Sequence, residues 1–124
     1  MNPVIIYNIP KFNKEKQLVA LCRELKLSTR KLKAGDANVQ LSFLAGAGRI
    51  NTGRENKKTT ADFKIPELII FSGMTEDMLD MFLKRYKDMG IEPVKLKAVV
   101  TATNISWNVY ELVTELIKEH KELN

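Results

Sequence analysis

Apolar positions along this chain follow two periods. Val4–Tyr7 and the stretch Glu67–Phe71 hold short, nearly continuous apolar runs, the pattern of strands covered on both faces. Elsewhere the spacing becomes i, i+3, i+4, i+7. Leu18, Leu21, Cys22 and Leu25 form one helical stripe, with Asn13 as its expected cap. Met78, Leu79, Phe82, Tyr86 and Met89 form a second. Thr75 caps it, and Glu76 and Asp77 lie in its first turn, where the helix dipole favours anions. Gly90 is the expected left-handed stop, with Ile91 folded back on the last turn. Ile105, Val109, Leu112, Val113, Leu116 and Ile117 form a third stripe, on a helix expected to start near Thr103 or Asn104. Strands over Thr29–Lys33 and Val94–Val100, and a short helix around Val39–Ala45 closed by Gly46, complete the set.

The order is strand, helix, strand, helix, twice over. The chain reads as one domain over residues 1–124. A first βαβα half (3–46) and a second (67–124) flank a polar loop (47–66) rich in Gly, Asn, Thr and charge, expected to be mobile with few buried contacts. The halves match at an offset of 64 (95 − 31). Lys31-Leu32-Lys33-Ala34 reappears as Lys95-Leu96-Lys97-Ala98, Ile5-Ile6 as Ile69-Ile70, and Leu41-Ser42-Phe43 as Ile105-Ser106-Trp107. We read this as an internal repeat. The apolar first and third strands belong at the centre. The second and fourth carry alternate Lys, a usual protection of sheet edges. The expected fold is α/β: a small three-layer, doubly wound, parallel four-stranded sheet of order 2-1-3-4. Its switch point lies between strands one and three, and ligands of such sheets bind at the C-terminal strand ends. Asn8, Ile9, Pro10, Ser72, Gly73 and Met74 fall there.

Composition narrows the chemistry. One cysteine, Cys22, leaves no partner for a disulfide within the chain. With a single histidine, His120, the expectation is no metal site and no cofactor. No apolar run is long enough to span a membrane, and the N-terminus lacks a secretory pattern, so a cytoplasmic location is expected. The net charge of +5 is uneven. Residues 1–66 carry 13 Lys/Arg against 5 Asp/Glu, and residues 67–124 carry 7 against 10. Such a split suits self-association or an acidic partner of the first half.

Candidate sites follow. Gly48–Glu55 approaches a phosphate-binding loop, but Arg54 stands in the Lys position, Glu55 replaces the hydroxyl, and a helix precedes it. We do not read it as a nucleotide site. Arg49, Arg54, Lys57 and Lys58 form a basic loop. No aromatic residue is interleaved for stacking on bases, although Phe43 and Phe63 flank it. A solvated loop is the expected reading, and nucleic acid is not the expected partner. Thr101, Thr103 and Asn104 sit at a strand-to-helix junction that could hold an anion or simply cap the helix. Together with Asn8, Ser72 and Gly73 they form the candidate ligand site. Trp107 and Tyr110 lie off the stripe of their helix and are candidate interface residues. Cys22 reads as core, and neither His120 nor Asp36 has an evident acid–base partner. No catalytic set is assembled.

The second half carries a further signature: ELIIFSGMTEDMLDMFL over Glu67–Leu83, LKAVVTATNISW over Leu96–Trp107, and a helix ending KEHKEL. It resembles a small bacterial family known as domain of unknown function 3783. Members pair a strand ending in a Phe-Ser-Gly turn with a Leu-Lys-Ala-Val strand, a Thr-x-Thr-Asn turn and a Trp. The resemblance covers Glu67–Leu123, and over Val4–Gly46 only the layout matches. Where the family has Pro in the turn, this chain has Ala102. The resemblance implies an α/β fold and a bacterial, cytoplasmic origin, and carries no activity. The resulting expectation is a non-enzymatic α/β module acting by self-association or protein binding. The alternatives are a small-molecule or anion binder, with or without weak enzymatic activity, at the strand ends, and a nucleic-acid binder acting through the basic loop.

Overall fold

In the computed structural model, which describes residues 2–60 and 62–123, four strands and four helices follow the expected order. They are β1 (Val4–Asn8), α1 (Phe12–Glu24), β2 (Ser28–Lys31), α2 (Leu41–Leu44), β3 (Leu68–Ser72), α3 (Glu76–Asp88), β4 (Leu96–Val99) and α4 (Val109–Leu123). A 3-10 turn at Ala34–Asn38 precedes α2. Ala61, within the expected loop, lies outside the described residues. No helix among the described residues is long and apolar enough to cross a membrane.

The sheet has the expected order, β2-β1-β3-β4. Its direction differs from expectation. β1 pairs in parallel with β2, and β3 with β4, but β1 and β3 are antiparallel, with Ile6 opposite Ile70 and Val4 opposite Ser72. The sheet is therefore mixed, and the purely parallel, doubly wound arrangement is corrected. A continuous apolar strand reads the same in either direction, and the long segment before β3 can deliver the chain to either end of β1. Antiparallel pairing is also slightly the stronger per residue.

Because β1 and β3 run in opposite directions, crossovers of one hand place α1 and α3 on the same face. Strand alternation bears this out. Ile5, Tyr7, Ile69 and Phe71 pack with Leu18, Leu21, Cys22 and Phe82 of α1 and α3. Ile6, Leu68 and Ile70 pack with Leu41, Leu44, Val109, Leu112 and Val113 of α2 and α4. Three layers result. Lys14, on the inner side of α1, is buried too. Its ammonium lies 2.8 Å from a Glu67 carboxylate oxygen and 2.8 Å from the Pro93 carbonyl, tying α1 to the entries of β3 and β4.

The 64-residue offset holds from β1 through α1 and then breaks. Leu32 N–H donates to the Tyr7 carbonyl, and Val100 N–H to that of Phe71, each at 2.8 Å. Tyr7 and Phe71 are 64 apart, but Leu32 and Val100 are 68 apart (100 − 32). The identical Lys-Leu-Lys-Ala tetrapeptides are thus four residues out of step. One leaves β2 for the 3-10 turn, while the other enters β4.

Helix ends also depart in detail. Helix α1 starts at Phe12 after Lys11, so Asn13 is not its cap, whereas the Thr75 hydroxyl accepts from Met78 N–H as expected. The helix stops are equivalent. Leu27 N–H reaches back to the Cys22 carbonyl, and Ile91 N–H to that of Tyr86. Left-handed residues make this possible: Gly90 at φ 68°, and Lys26 at φ 59°. A side chain in this region costs about 1 kcal/mol or more relative to glycine. Lys26→Gly is expected to raise stability by about 1 kcal/mol. Gly90→Ala is expected to lower it by about as much, through the backbone alone, since an added Cβ meets nothing within 4 Å. Urea melts check both, and two unchanged midpoints would mean that this conformation carries no strain.

Candidate functional site

The antiparallel seam divides the expected ligand crevice. Asn8 lies opposite Leu68 and Ser72 opposite Val4, so the two are about 13 Å apart along the strands, at ~3.3 Å per residue. Asn8 donates its carboxamide N–H groups to the Ile65 and Pro66 carbonyls at 2.8 and 3.1 Å, fastening the approach to β3. Ser72 is fully buried, and Gly73 (φ 70°) turns the chain toward α3.

Thr101, Thr103 and Asn104 share the Ser72 end of the sheet, because β4 runs parallel to β3. Their polar atoms serve a turn. The Asn104 carboxamide accepts from Thr101 N–H at 2.8 Å and donates to the Val99 carbonyl at 3.0 Å. The Thr101 hydroxyl oxygen accepts from Asn104 N–H at 3.2 Å. Thr103 is exposed. These residues close the exit of edge strand β4, and the helix begins later.

The start of α4 is built by Asn108 and Glu111, not by the Thr and Asn residues of the preceding turn. Asn108 Oδ1 accepts from Glu111 N–H at 2.8 Å, and Asn108 N–H donates to Glu111 Oε1 at 3.1 Å. This is a reciprocal capping box, with the spacing N-x-x-E in plain view in the sequence. Glu111 is 8% exposed, and its carboxylate gathers more of the chain. Asn56 Nδ2 donates to it at 2.7 Å, and the Arg54 guanidinium is bound to its other oxygen. Burial alone would raise its pKa. The Asn108 backbone N–H, then Asn56, Arg54 and the Lys57 backbone N–H outweigh that and hold the carboxyl below its ordinary range.

Among its described residues the 47–66 segment has no helix or strand, as expected, but it is fastened at several points. Asn38 and Gln40 act as peptide mimics. Each carboxamide both donates to and accepts from one loop residue: Asn38 with Thr59, at 3.2 and 2.9 Å, and Gln40 with Ile50, at 2.9 and 2.7 Å. Asn56 also donates to the Ser106 carbonyl, and Asn108 to that of Lys57. Among the described residues, no buried side-chain nitrogen or oxygen is left without a hydrogen-bond partner.

These ties shape an open cleft of about 590 Å³, lined by Arg49, Arg54 and Lys58 together with Glu55 and several carboxamides. A smaller recess of about 270 Å³ shares Asn38, Gln40, Arg49 and Asn56 with it and reaches Phe43. On the α4 side, Arg54 and Lys57 meet Trp107 and Tyr110 in a recess of about 190 Å³. Trp107 is half-buried against the core under α4, and Tyr110 meets Phe63 edge-on at 5.0 Å. Three of the four basic-loop residues, Arg49, Arg54 and Lys58, thus line one cleft, with Lys57 beside it. The near phosphate-binding loop sets Arg54 against Glu111 instead. Elsewhere, Asp36 accepts from Lys33 N–H at 2.8 Å and closes the 3-10 turn, and His120 lies in the last part of α4. Cys22 is buried under α1, where its thiol pKa is pushed up to about 12.

No curated protein and no solved structure matches the chain. Residues 67–123 match the family model described as Domain of unknown function (DUF3783). The matched span covers β3, α3, β4 and α4, and with them the Asn108–Glu111 capping box. The family suggested by the Phe-Ser-Gly and Thr-x-Thr-Asn turns is therefore the one whose model this second half matches.

Proposed function

We propose that the chain is a non-enzymatic binding module whose working face is the basic cleft, and that its partner is anionic. The observation that carries this reading is the fastened loop. A buried carboxylate, a capping box and a set of carboxamides hold the 47–66 segment so that Arg49, Lys58 and the exposed part of Arg54 border one concavity. Convergent cations attract negative charge, and they outnumber the Glu55 carboxylate that shares the lining. The chemistry at hand favours binding over catalysis. Glu111 is held ionised and fully engaged, which makes it a poor proton carrier near neutrality, and the Cys22 thiol is buried and far from its reactive range. Trp107 and Tyr110 adjoin this face and extend it for a macromolecular partner. A protein segment rich in carboxylates fits it, and so does the acidic second half of another copy.

Retention on a heparin column tests the reading. The wild type is expected to elute at clearly higher salt than the Arg49→Glu/Lys58→Glu double variant, with unchanged thermal melting. If a second copy is the partner, the same variant also lowers the sedimentation coefficient at high protein concentration. Co-elution of the two proteins would remove the cleft from the function.

A further inference from the structure

We propose that the anionic partner is single-stranded nucleic acid, with Phe43 as the platform for a base; this rests on the reading of the cleft as an anion-binding face. In the sequence, Phe43 stands outside the basic loop. The fold brings it to the end of the cleft. In α2, Leu41 and Leu44 point into the core, which turns Phe43 outward, where it is 48% exposed. The Arg30 guanidinium lies 6.0 Å from the ring centroid, on the α2 side of edge strand β2. Arg49 lines the recess that Phe43 borders, and that recess opens into the cleft of Arg54 and Lys58. A ring with one cation against it and others in line beyond is the arrangement that stacks a base while neighbouring phosphates meet positive charge. Phe63, the other flanking aromatic, packs against Tyr110 and is not part of it.

The ring decides among polyanions. A duplex keeps its bases stacked inside, out of reach of an exposed side chain. An acidic peptide would use the cations and gain nothing from a flat aromatic face. A single strand uses both. Its phosphates would meet Arg30, Arg49 and Lys58, while Arg54 is partly neutralised by Glu111. About three phosphate contacts give a slope of log K against log salt of about −2, at ~0.7 per contact for single strands.

Fluorescence anisotropy of the full chain with labelled oligo(dT) and oligo(U) 12-mers tests this, beside a duplex of equal length and a poly-glutamate peptide. Tighter binding of a single strand than of the duplex or the peptide is expected. Binding to one or both oligomers supports the proposal. Phe43→Ala and Phe43→Leu are each expected to weaken it about tenfold without lowering the melting temperature, the second because it keeps bulk but removes the π-face. Arg49→Glu is expected to weaken it and flatten the salt slope. Equal affinity for poly-glutamate or duplex, or wild-type affinity in Phe43→Leu, would overturn the nucleic-acid proposal and leave the anion-binding reading standing. No binding of any polyanion would overturn both.

Discussion

Glu111→Ala is expected to destabilise the chain by about 3 kcal/mol, lowering the melting temperature by roughly 10 °C. The substitution removes half of the capping box, worth about 1 kcal/mol. It also leaves one of the two Asn56 Nδ2 hydrogens, the other being held by Ser106, and the Asn108 N–H without an acceptor. Arg54 is half-exposed and can turn to water, which keeps the loss at the lower end for a broken buried ion pair. Glu111→Gln retains an acceptor for Asn108 and is expected to lose about half as much. The two variants also separate in pH. A carboxyl with a lowered pKa contributes its stability fully above its ordinary value of 4.5, and that stability is lost as pH falls through the lower folded value. The advantage of wild type over Gln should therefore hold at pH 7 and shrink in acid. Thermal melts across that range check it, and a constant difference would mean that charge is not what Glu111 contributes.

Phe82→Ala has the larger expected effect, about 4 kcal/mol, or roughly 15 °C in melting temperature. Phe82 is fully buried where α3 meets α1 and the sheet. Its ring meets Phe71 edge-on at 5.2 Å and lies 6.0 Å from Tyr86. Truncation loses the transfer free energy of the ring and leaves a cavity that both helices must relax to fill. The neighbouring Met81, 61% exposed on the same helix, serves as the control. Met81→Ala is expected to change stability by no more than about 0.5 kcal/mol. Comparable losses in the two would mean that α3 does not pack through Phe82.

Much of the fold was legible because it rests on local patterns. The stripe through Phe82, the Thr75 cap and the Gly90 stop are each written within a few residues. The order of strands followed from apolar continuity at the centre and Lys at the rims. The direction of β3 was not legible, because a single strand's composition carries no arrow. The repeat misled for a related reason. The shared tetrapeptide marked an offset of 64, but the backbone bonds of Leu32 and Val100 put the second strands at 68. Lys14 was missed because a charged residue on the buried side of α1 is legible only once Glu67 and Pro93 are known to meet it. At the cleft, the charges of Arg49, Arg54, Lys57 and Lys58 were plain. What the chain could not display was that Arg54 is engaged by Glu111, or that Asn38 and Gln40 grip backbone groups far along the loop. The Asn108–Glu111 box was readable, and was hidden by the Thr and Asn residues just before it, which offered an earlier place for the helix to start.

The antiparallel seam has a kinetic meaning. Val4 pairs with Ser28 in one unit and Leu68 with Leu96 in the other, separations of 24 and 28 residues. Across the seam, Ile6 pairs with Ile70, 64 residues on. The added loop-closure entropy is modest, about 0.6 kcal/mol for each doubling of length. The greater difference is one of assembly. Each βαβ lobe forms from near neighbours along the chain, while the seam requires two lobes to meet. Non-local pairing of this kind sets the pace of folding. Closing the seam, the most non-local pairing in the sheet, is therefore the step expected to limit the folding rate.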